Sequence, residues 1–361
     1  MRVCFLAGAD SIHSKKWIEY FSEKGENDVH WISLTPSIFG ELKNVKFHLL
    51  KRFPVKYLGL LLNVLPVKRL IKKINPEILH AHYAGANGIL TALSGFHPFI
   101  LTAWGSDILI TAKSKTVKPL IKFALNKADL ITCDAEHMRE AMIKLGADAA
   151  KIKIIYFGID TKKFSSGPKD KNLTKELGVQ NNLTVISLRN LEKVYDVETL
   201  IKAAPLVLKE FPGAKFIIVG KGPEEERLKN MVKSLRVEEN VRFTGFVPNN
   251  DLPRYLRTAD VYVSTSLSDA GISTSTAEAM ACGLPVVITN TGENEKWVKD
   301  DEGGCLIPIK NPEILAQKLI YLMKNENLRK KSGKINRRTI EERNNYHKEM
   351  EKMGKIYKYL I

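Results

Sequence analysis

The sequence is poor in cysteine, with four among 361 residues: Cys4, Cys133, Cys282 and Cys305. They lie far apart in apolar surroundings and form no C-x-x-C pair, so zinc-ribbon and dithiol redox readings fall away. Reduced core thiols are the economical alternative. Long apolar runs are also missing. None approaches the ~20 residues that cross a bilayer, and the longest, residues 57–67, is broken by Asn63 and Pro66. The opening Met1-Arg-Val-Cys-Phe-Leu-Ala-Gly8 is too short for the apolar segment of a secretion signal and reads as a first strand. There is no G-x-S-x-G, H-E-x-x-H or P-loop, and no Asp-x-Asp, so a metal-bound nucleotide is not expected. Nor is there a G-x-G-x-x-G, which leaves a dinucleotide site weakly supported.

Acid is missing where base is concentrated. The formal charge is +16, and residues 42–76 hold nine Lys/Arg and no acid, residues 108–128 five Lys and no acid. Such stretches admit nucleic acid, anionic lipid or phosphorylated small molecules as partners. Their neighbours are aliphatic rather than interleaved aromatics, and no nucleic-acid motif appears, so no nucleic acid is expected. Residues 51–73 and 113–127 instead suggest peripheral contact with an anionic membrane.

With 44% apolar and 27% charged residues the composition is globular. The length exceeds what one core usually supports, so two domains are expected. Short, unalternating apolar runs recur at 3–8, 29–34, 78–83, 99–104, 130–133 and 152–157, then at 184–188, 214–220, 241–247, 260–265, 285–289 and 304–309. Helical spacing fills the gaps between them. Strands of this kind joined by helices predict parallel sheets covered on both faces. The expected fold class is α/β, with two doubly wound Rossmann-like domains facing across a cleft. The unpatterned residues 165–172 serve as the linker, so the domains run 1–165 and 166–340. Ligands of such sheets bind outside the carboxyl ends of the strands.

Several candidate residues fall at those ends. The stretch "SLSDAGISTSTAEAMACGLPVVITN", residues 266–290, sets Glu278 at the start of an Ala/Met-rich helix behind a Gly/Ser/Thr loop. Capping explains this arrangement; so does an anion site whose ligand carries hydroxyls that Glu278 accepts. Arg189 and Lys193 follow the 184–188 strand, suiting a diphosphate. Gly220-Lys-Gly-Pro-Glu-Glu-Glu226 reads equally as a tight turn before a helix or as a ligand loop containing Gly222. Trp104-Gly-Ser-Asp107 ends a first-half strand. His80 and His82, at i and i+2, share a strand face, but no third ligand follows at short spacing, so lining or burial is favoured over metal binding.

The succession Glu278-Ala-Met-Ala-Cys-Gly-Leu-Pro-Val-Val287, after Ala259-Asp-Val-Tyr-Val-Ser-Thr-Ser266, resembles the donor-binding signature of glycosyltransferase family 4. "ILHAHYAG", "LTAWGSDI", "KIKIIYFGIDTKKF", "VISLRNLEKVYDVETLIKA", "IIVGKGP" and "VRFTGFVP" stand in that family's order across nearly the whole chain. The resemblance implies a GT-B architecture whose terminal helix, about residues 340–361, packs back on the first domain. It implies a retaining, metal-independent transfer of a hexosyl group from a nucleotide-diphosphate sugar, with no further cofactor, to a glycan or lipid-linked acceptor. The setting would be cytoplasmic, peripheral on the inner membrane face. Glu278 would bind ribose hydroxyls, and the backbone of Gly271, Ile272, Ser273 and Thr274 would approach the diphosphate and sugar. Arg189 and Lys193 would neutralise the leaving group, and Phe246 and Val247 would lie against the base.

The chain departs from the family at identifiable positions. The acid of E-x7-E is Ala270, with Asp269 one residue early, and the phosphate lysine's place is Val194, one after Lys193. Trp104 replaces a histidine, and Ala9-Asp10-Ser11-Ile-His13 replaces a glycine pair, making His13 a candidate displaced histidine. Asp10, Ser11, His13, His82, Trp104 and Asp107 are therefore the acceptor-side candidates. The missing first acid keeps open a catalytically silent nucleotide- or glycan-binding partner, and a nucleotide-sugar epimerase is the alternative among enzymes of the same architecture.

Overall fold

The computed structural model describes residues 1–361 apart from 24, 26, 52–57 and 270. The chain divides into two compact units, Met1–Phe157 with His347–Ile361, and Gly158–Tyr346.

The first unit is built on a seven-stranded sheet in the order β3-β2-β1-β4-β5-β6-β7, all parallel. Its strands are β1 Arg2–Leu6, β2 Asp28–Ser33, β3 Val45–Leu49, β4 Ile78–His82, β5 Phe99–Thr102, β6 Leu130–Cys133 and β7 Ile152–Ile154. Strands such as Ile78–His82 and Phe99–Thr102 are buried at every residue, as a parallel sheet between helical layers requires. The sequence pattern overlooks β3. This strand lies at the sheet edge, and the exposed Lys46, Phe47 and Leu49 leave it without the apolar run that marks the others. The run at 152–157 is strand only to Ile154.

The terminal helix Tyr346–Leu360 sends Tyr357 into this unit, where its ring lies 4.7 Å from Phe21. Its hydroxyl is 2.6 Å from His80 Nδ1. His80 Nε2 is 2.6 Å from Thr102 Oγ1, which is 2.6 Å from Thr132 Oγ1. A buried polar chain thus crosses β4, β5 and β6, each member satisfied by the next.

The second unit holds a six-stranded parallel sheet in the order β10-β9-β8-β11-β12-β13. Its strands are β8 Thr184–Leu188, β9 Lys215–Val219, β10 Val241–Gly245, β11 Val261–Ser264, β12 Val286–Thr289 and β13 Gly304–Ile307. The unit begins at Gly158, upstream of residues 165–172, because the segment after it is tied to the helix Glu326–Arg343 and the residues that follow. Gly158 N–H donates to Asn344 Oδ1 at 3.0 Å, and Arg337 donates to the carbonyls of Thr161 and Phe164. All four cysteines are buried and unpaired, and burial pushes the thiols of Cys133 and Cys282 up to about 12.

Burial holds His80 well below the ordinary histidine value and, with His13 nearby, lowers His82 to about 3. As pH falls through ~6.5 the unfolded chain takes up protons at these rings and the folded chain does not. The stability linked to the neutral rings is therefore complete above that pH and lost below it. The thermal midpoint should fall between about pH 7 and pH 5, where most carboxylates remain charged. A midpoint flat across that window, followed by circular dichroism, would contradict this account.

Candidate functional site

In the second unit the chain moves outward from β8 to β9 and β10, then returns to place β11 on the other side of β8. The loops after β8 and β11 consequently leave in opposite directions, opening a crevice at their shared edge. Arg189 follows β8, and the segment 265–273 follows β11. They meet there: Arg189 Nη2 donates to Asp269 Oδ1 at 2.8 Å, with each side chain only 7% exposed. The guanidinium lies 4.2 Å from the Tyr195 ring centre, and Nη1 reaches Ser275 Oγ at 3.4 Å. Ser275 Oγ is 2.9 Å from the Tyr262 hydroxyl. Arg189 Nε and Asp269 Oδ2 are buried without a hydrogen-bond partner.

The helix Thr274–Ala281 begins at this crevice. Ser273 is its cap, accepting from Thr276 N–H at 3.3 Å. Glu278 is therefore not at the helix start, as the sequence suggested, but in the second turn, and capping does not account for it. Its side chain is 3% exposed, and Asn249, from the loop after β10, approaches it at 3.4 Å. Gly271 and Ile272 are buried; Ser273 and Thr274 are half-buried at the loop's end.

Gly220 and Gly222 answer to backbone contact. A Cβ on Gly220 would stand 2.2 Å from Arg189 O, and one on Gly222 2.3 Å from Leu191 O. Leu191 N–H donates to Lys221 O and Glu224 N–H to Leu191 O, so the loops after β8 and β9 run in contact. Lys193 is exposed and lines a hollow of about 410 Å³ with Asp196, Glu198, Arg227 and Lys310. Phe246 stands 71% exposed beyond β10, whereas Val247 is buried.

The first unit repeats the geometry, its reversal falling between β1 and β4. Asp10 and Ser11 follow β1; Thr35 Oγ1 donates to Asp10 at 3.3 Å, and Ser14 N–H to Ser11 Oγ at 3.3 Å. His13, near the start of the helix Ile12–Glu23, stacks on Trp104 at 5.4 Å. Burial and the adjacent Lys16 lower its pKa to about 4. His82 closes β4, its Nδ1 3.0 Å from Ser14 Oγ and its ring edge-on to Trp17 and Trp104. His80 is held by Tyr357 and Thr102, within the core rather than as a ligand. Asp107 is fully buried and accepts from the backbone N–H groups of Ala84, Gly105 and Ile108 at 2.7–3.1 Å. Burial raises its pKa against those donors. It fastens the turns after β4 and β5.

The structure thus gathers Arg189, Asp269, Ser273 and Thr274 at one crevice, and His13, His82 and Trp104 at another. Sequence reasoning missed Tyr195, Asn249, Tyr262 and Ser275. Asn249 lies just beyond a quoted segment, Tyr195 and Tyr262 lie within quoted segments whose pattern gives them no role, and Ser275 sits inside a run of four alternating Ser and Thr that gives no reason to choose it.

Residues 169–339 match the profile of glycosyl transferases group 1, and residues 2–135 that of glycosyl transferase 4-like proteins. An uncharacterized glycosyltransferase of Methanocaldococcus jannaschii is 28% identical over 68% of this chain and 62% of its own length. N-acetyl-alpha-D-glucosaminyl L-malate synthase of Bacillus anthracis is 26% identical over 78% of this chain and 74% of its own. Spore coat protein SA of Bacillus subtilis is 28% identical, and the chain spans 59% of its length. Among solved structures, HepE of Anabaena in complex with UDP superposes with a TM-score of 0.87 over the whole of both chains at 21% identity. Sucrose-phosphate synthase from Thermosynechococcus elongatus gives 0.82 at 17% identity over 100% of this chain and 99% of that one. With a 4-like profile on the first parallel sheet, a group 1 profile on the second, and the fold of these structures throughout, the chain belongs to the family 4-like glycosyltransferases of GT-B architecture.

Proposed function

We propose that the protein is a retaining glycosyltransferase that moves a hexosyl group from a nucleotide-diphosphate sugar to a glycan or lipid-linked acceptor. The observation that carries this reading is the meeting of Arg189 with a capped helix start at the strand-order reversal of the second sheet. Breaking a glycosyl–phosphate bond develops charge on the leaving diphosphate, which a fixed guanidinium and helix-start N–H groups stabilise as it forms. HepE, whose fold this chain shares, has been crystallised with UDP and with UDP-glucose, which supports a nucleotide-sugar donor.

In this reading the Gly271–Thr274 backbone approaches the diphosphate, and Glu278, steadied by Asn249, accepts from the ribose hydroxyls. Phe246 offers its exposed ring to the base. Gly222 contributes by letting the β8 and β9 loops close up, and Lys193 adds a cation at the rim. On the first unit, Asp10, Ser11, His13, His82 and Trp104 face the acceptor, and Asp107 holds the turns that follow His82 and precede the helix after Trp104. Two neutral histidines suit an acceptor hydroxyl, since each keeps an unprotonated ring nitrogen able to accept from it, which a cationic ring lacks. The reading assigns no metal and no cofactor beyond the donor itself.

Glu278→Ala should weaken nucleotide-sugar binding by about ten- to a hundredfold, the loss of one charge-assisted hydrogen bond at about 1.5–3 kcal/mol. The circular dichroism spectrum should be unchanged, and Glu278→Gln should bind between the two. Wild-type affinity in Glu278→Ala would place the donor elsewhere. Retention is checked by proton NMR of the first product: the glycosidic anomer should match the donor's, and an inverted centre would refute it. Turnover of no donor in a panel would favour a silent binding partner, and an epimerised donor an epimerase.

The acceptor's setting is proposed from the basic face of the first unit. In the helix Val64–Ile74, Val67, Ile71 and Ile74 are buried while Lys68, Arg69, Lys72 and Lys73 are exposed. Leu61, Leu62 and Leu65 are more than half exposed beside them. The helix Ala86–Ser94 packs against both this helix and Lys118–Lys127. The exposed Lys113, Lys115, Lys118, Lys122 and Lys127 therefore flank the same helical layer. Residues 52–57, part of the basic stretch 51–73, lie outside the described residues. Among the described residues no helix is long and apolar enough to cross a membrane. Exposed leucines ringed by cations fit the cytoplasmic face of an anionic bilayer, with about 1 kcal/mol from each cation near the surface. Sedimentation with phosphatidylglycerol vesicles should be strong at low salt, fall steeply as salt rises, and be lost when Lys68, Arg69, Lys72 and Lys73 become glutamine. Binding that ignores that change would leave the face merely solvated.

A further inference from the structure

Arg189 and Asp269 form a buried ion pair that is incomplete on both sides. A guanidinium has five donors and a carboxylate two acceptor oxygens. Here one short bond joins them, at 2.8 Å, while Arg189 Nε and Asp269 Oδ2 are buried without partners. Removing two charges from water for a single hydrogen bond is costly unless the remaining valences are used. Among the described residues no other charged side chain pairs with Arg189. Its flat face rests on Tyr195, and Ser275, itself bonded to Tyr262, stands at its edge. These neutral contacts hold the guanidinium from two further sides. The carboxylate lies between β11 and the helix Thr274–Ala281, on neither element.

We propose that Asp269 is a specificity-determining residue of the second unit. It competes with the ligand's diphosphate for Arg189 and, once displaced, accepts from a hydroxyl of the donor sugar. The inference rests on the nucleotide-sugar reading above and goes beyond it in assigning a preference. Two anions sharing one buried cation repel each other, so a diphosphate gains Arg189 only as Asp269 leaves. A nucleotide sugar compensates the carboxylate with a hydroxyl donor. A bare nucleoside diphosphate has none to offer at that position, and Asp269 returns to Arg189 to expel it. The site thereby favours substrate over the product of its own reaction. In sequence the neighbouring position is Ala270, so Asp269 is the carboxylate available for the exchange.

The test is calorimetric titration of the full chain with UDP and UDP-glucose and with GDP and GDP-mannose, in wild type, Asp269→Asn and Asp269→Ser. In the pair that wild type binds, both variants should bind the bare diphosphate about tenfold tighter and the nucleotide sugar no tighter, collapsing the ratio between them. Asp269→Glu, which keeps the charge, should restore that ratio in part. The serine variant carries the test if asparagine at this buried site fails to fold. Weakening of both ligands would mean that Asp269 merely positions Arg189; equal tightening would mean competition without a sugar contact. Either result, or an unchanged ratio, overturns the proposal while leaving the nucleotide-sugar reading intact. A folded wild type that binds none of the four ligands overturns both.

Discussion

In a parallel sheet every strand runs the same way, so every strand-to-helix loop opens on one edge. That constraint organises both halves of this protein. Where the strand order reverses, between β1 and β4 and again between β8 and β11, the loops of two neighbouring strands diverge and leave a crevice at their base. The residues with chemistry to offer are drawn there from distant parts of the chain. Arg189 and Asp269 are eighty positions apart, and His13 and Trp104 belong to different strand–helix units, yet each pair is in contact. Glycine makes the second crevice tight. Without Cβ atoms, Gly220 and Gly222 bring the β9 loop onto the backbone of Arg189 and Leu191.

The electrostatics of the two crevices differ from those of the surface. The chain carries a formal charge of +16, but the buried second crevice pairs its arginine with Asp269 and places Glu278 close behind. In the first crevice burial keeps His13 and His82 neutral at ordinary pH. The excess cations lie instead on exposed helical faces such as Val64–Ile74 and Lys118–Lys127. Such a division suits chemistry in which charge moves inside a dry site while attraction to a larger anionic partner acts outside it.

Most of the strands were legible because parallel strands bury both faces and so appear as unbroken apolar runs. The exception, β3, shows why: an edge strand with Lys46, Phe47 and Leu49 exposed carries no such run. The helix boundary at Thr274 was misjudged for a different reason. Ser266, Ser268, Ser273, Thr274, Ser275 and Thr276 all have capping chemistry, and only the backbone shows that Ser273 is the cap, putting Glu278 a turn deeper.

By itself the sequence determined the α/β class, the two parallel sheets and the loops at which chemistry is to be sought, because strand burial and turn residues are local properties. The family's signature residues identified Glu278 and Arg189 in the same way. Only the tertiary structure decided what those residues face. That Arg189 already holds a carboxylate, that it rests on Tyr195, that Asp107 fastens backbone turns, and that Tyr357 reaches His80 from the far end of the chain are contacts between distant segments. No spacing rule encodes them, since they follow from the order in which parallel strands assemble and from the side chains each crossing brings to the same edge.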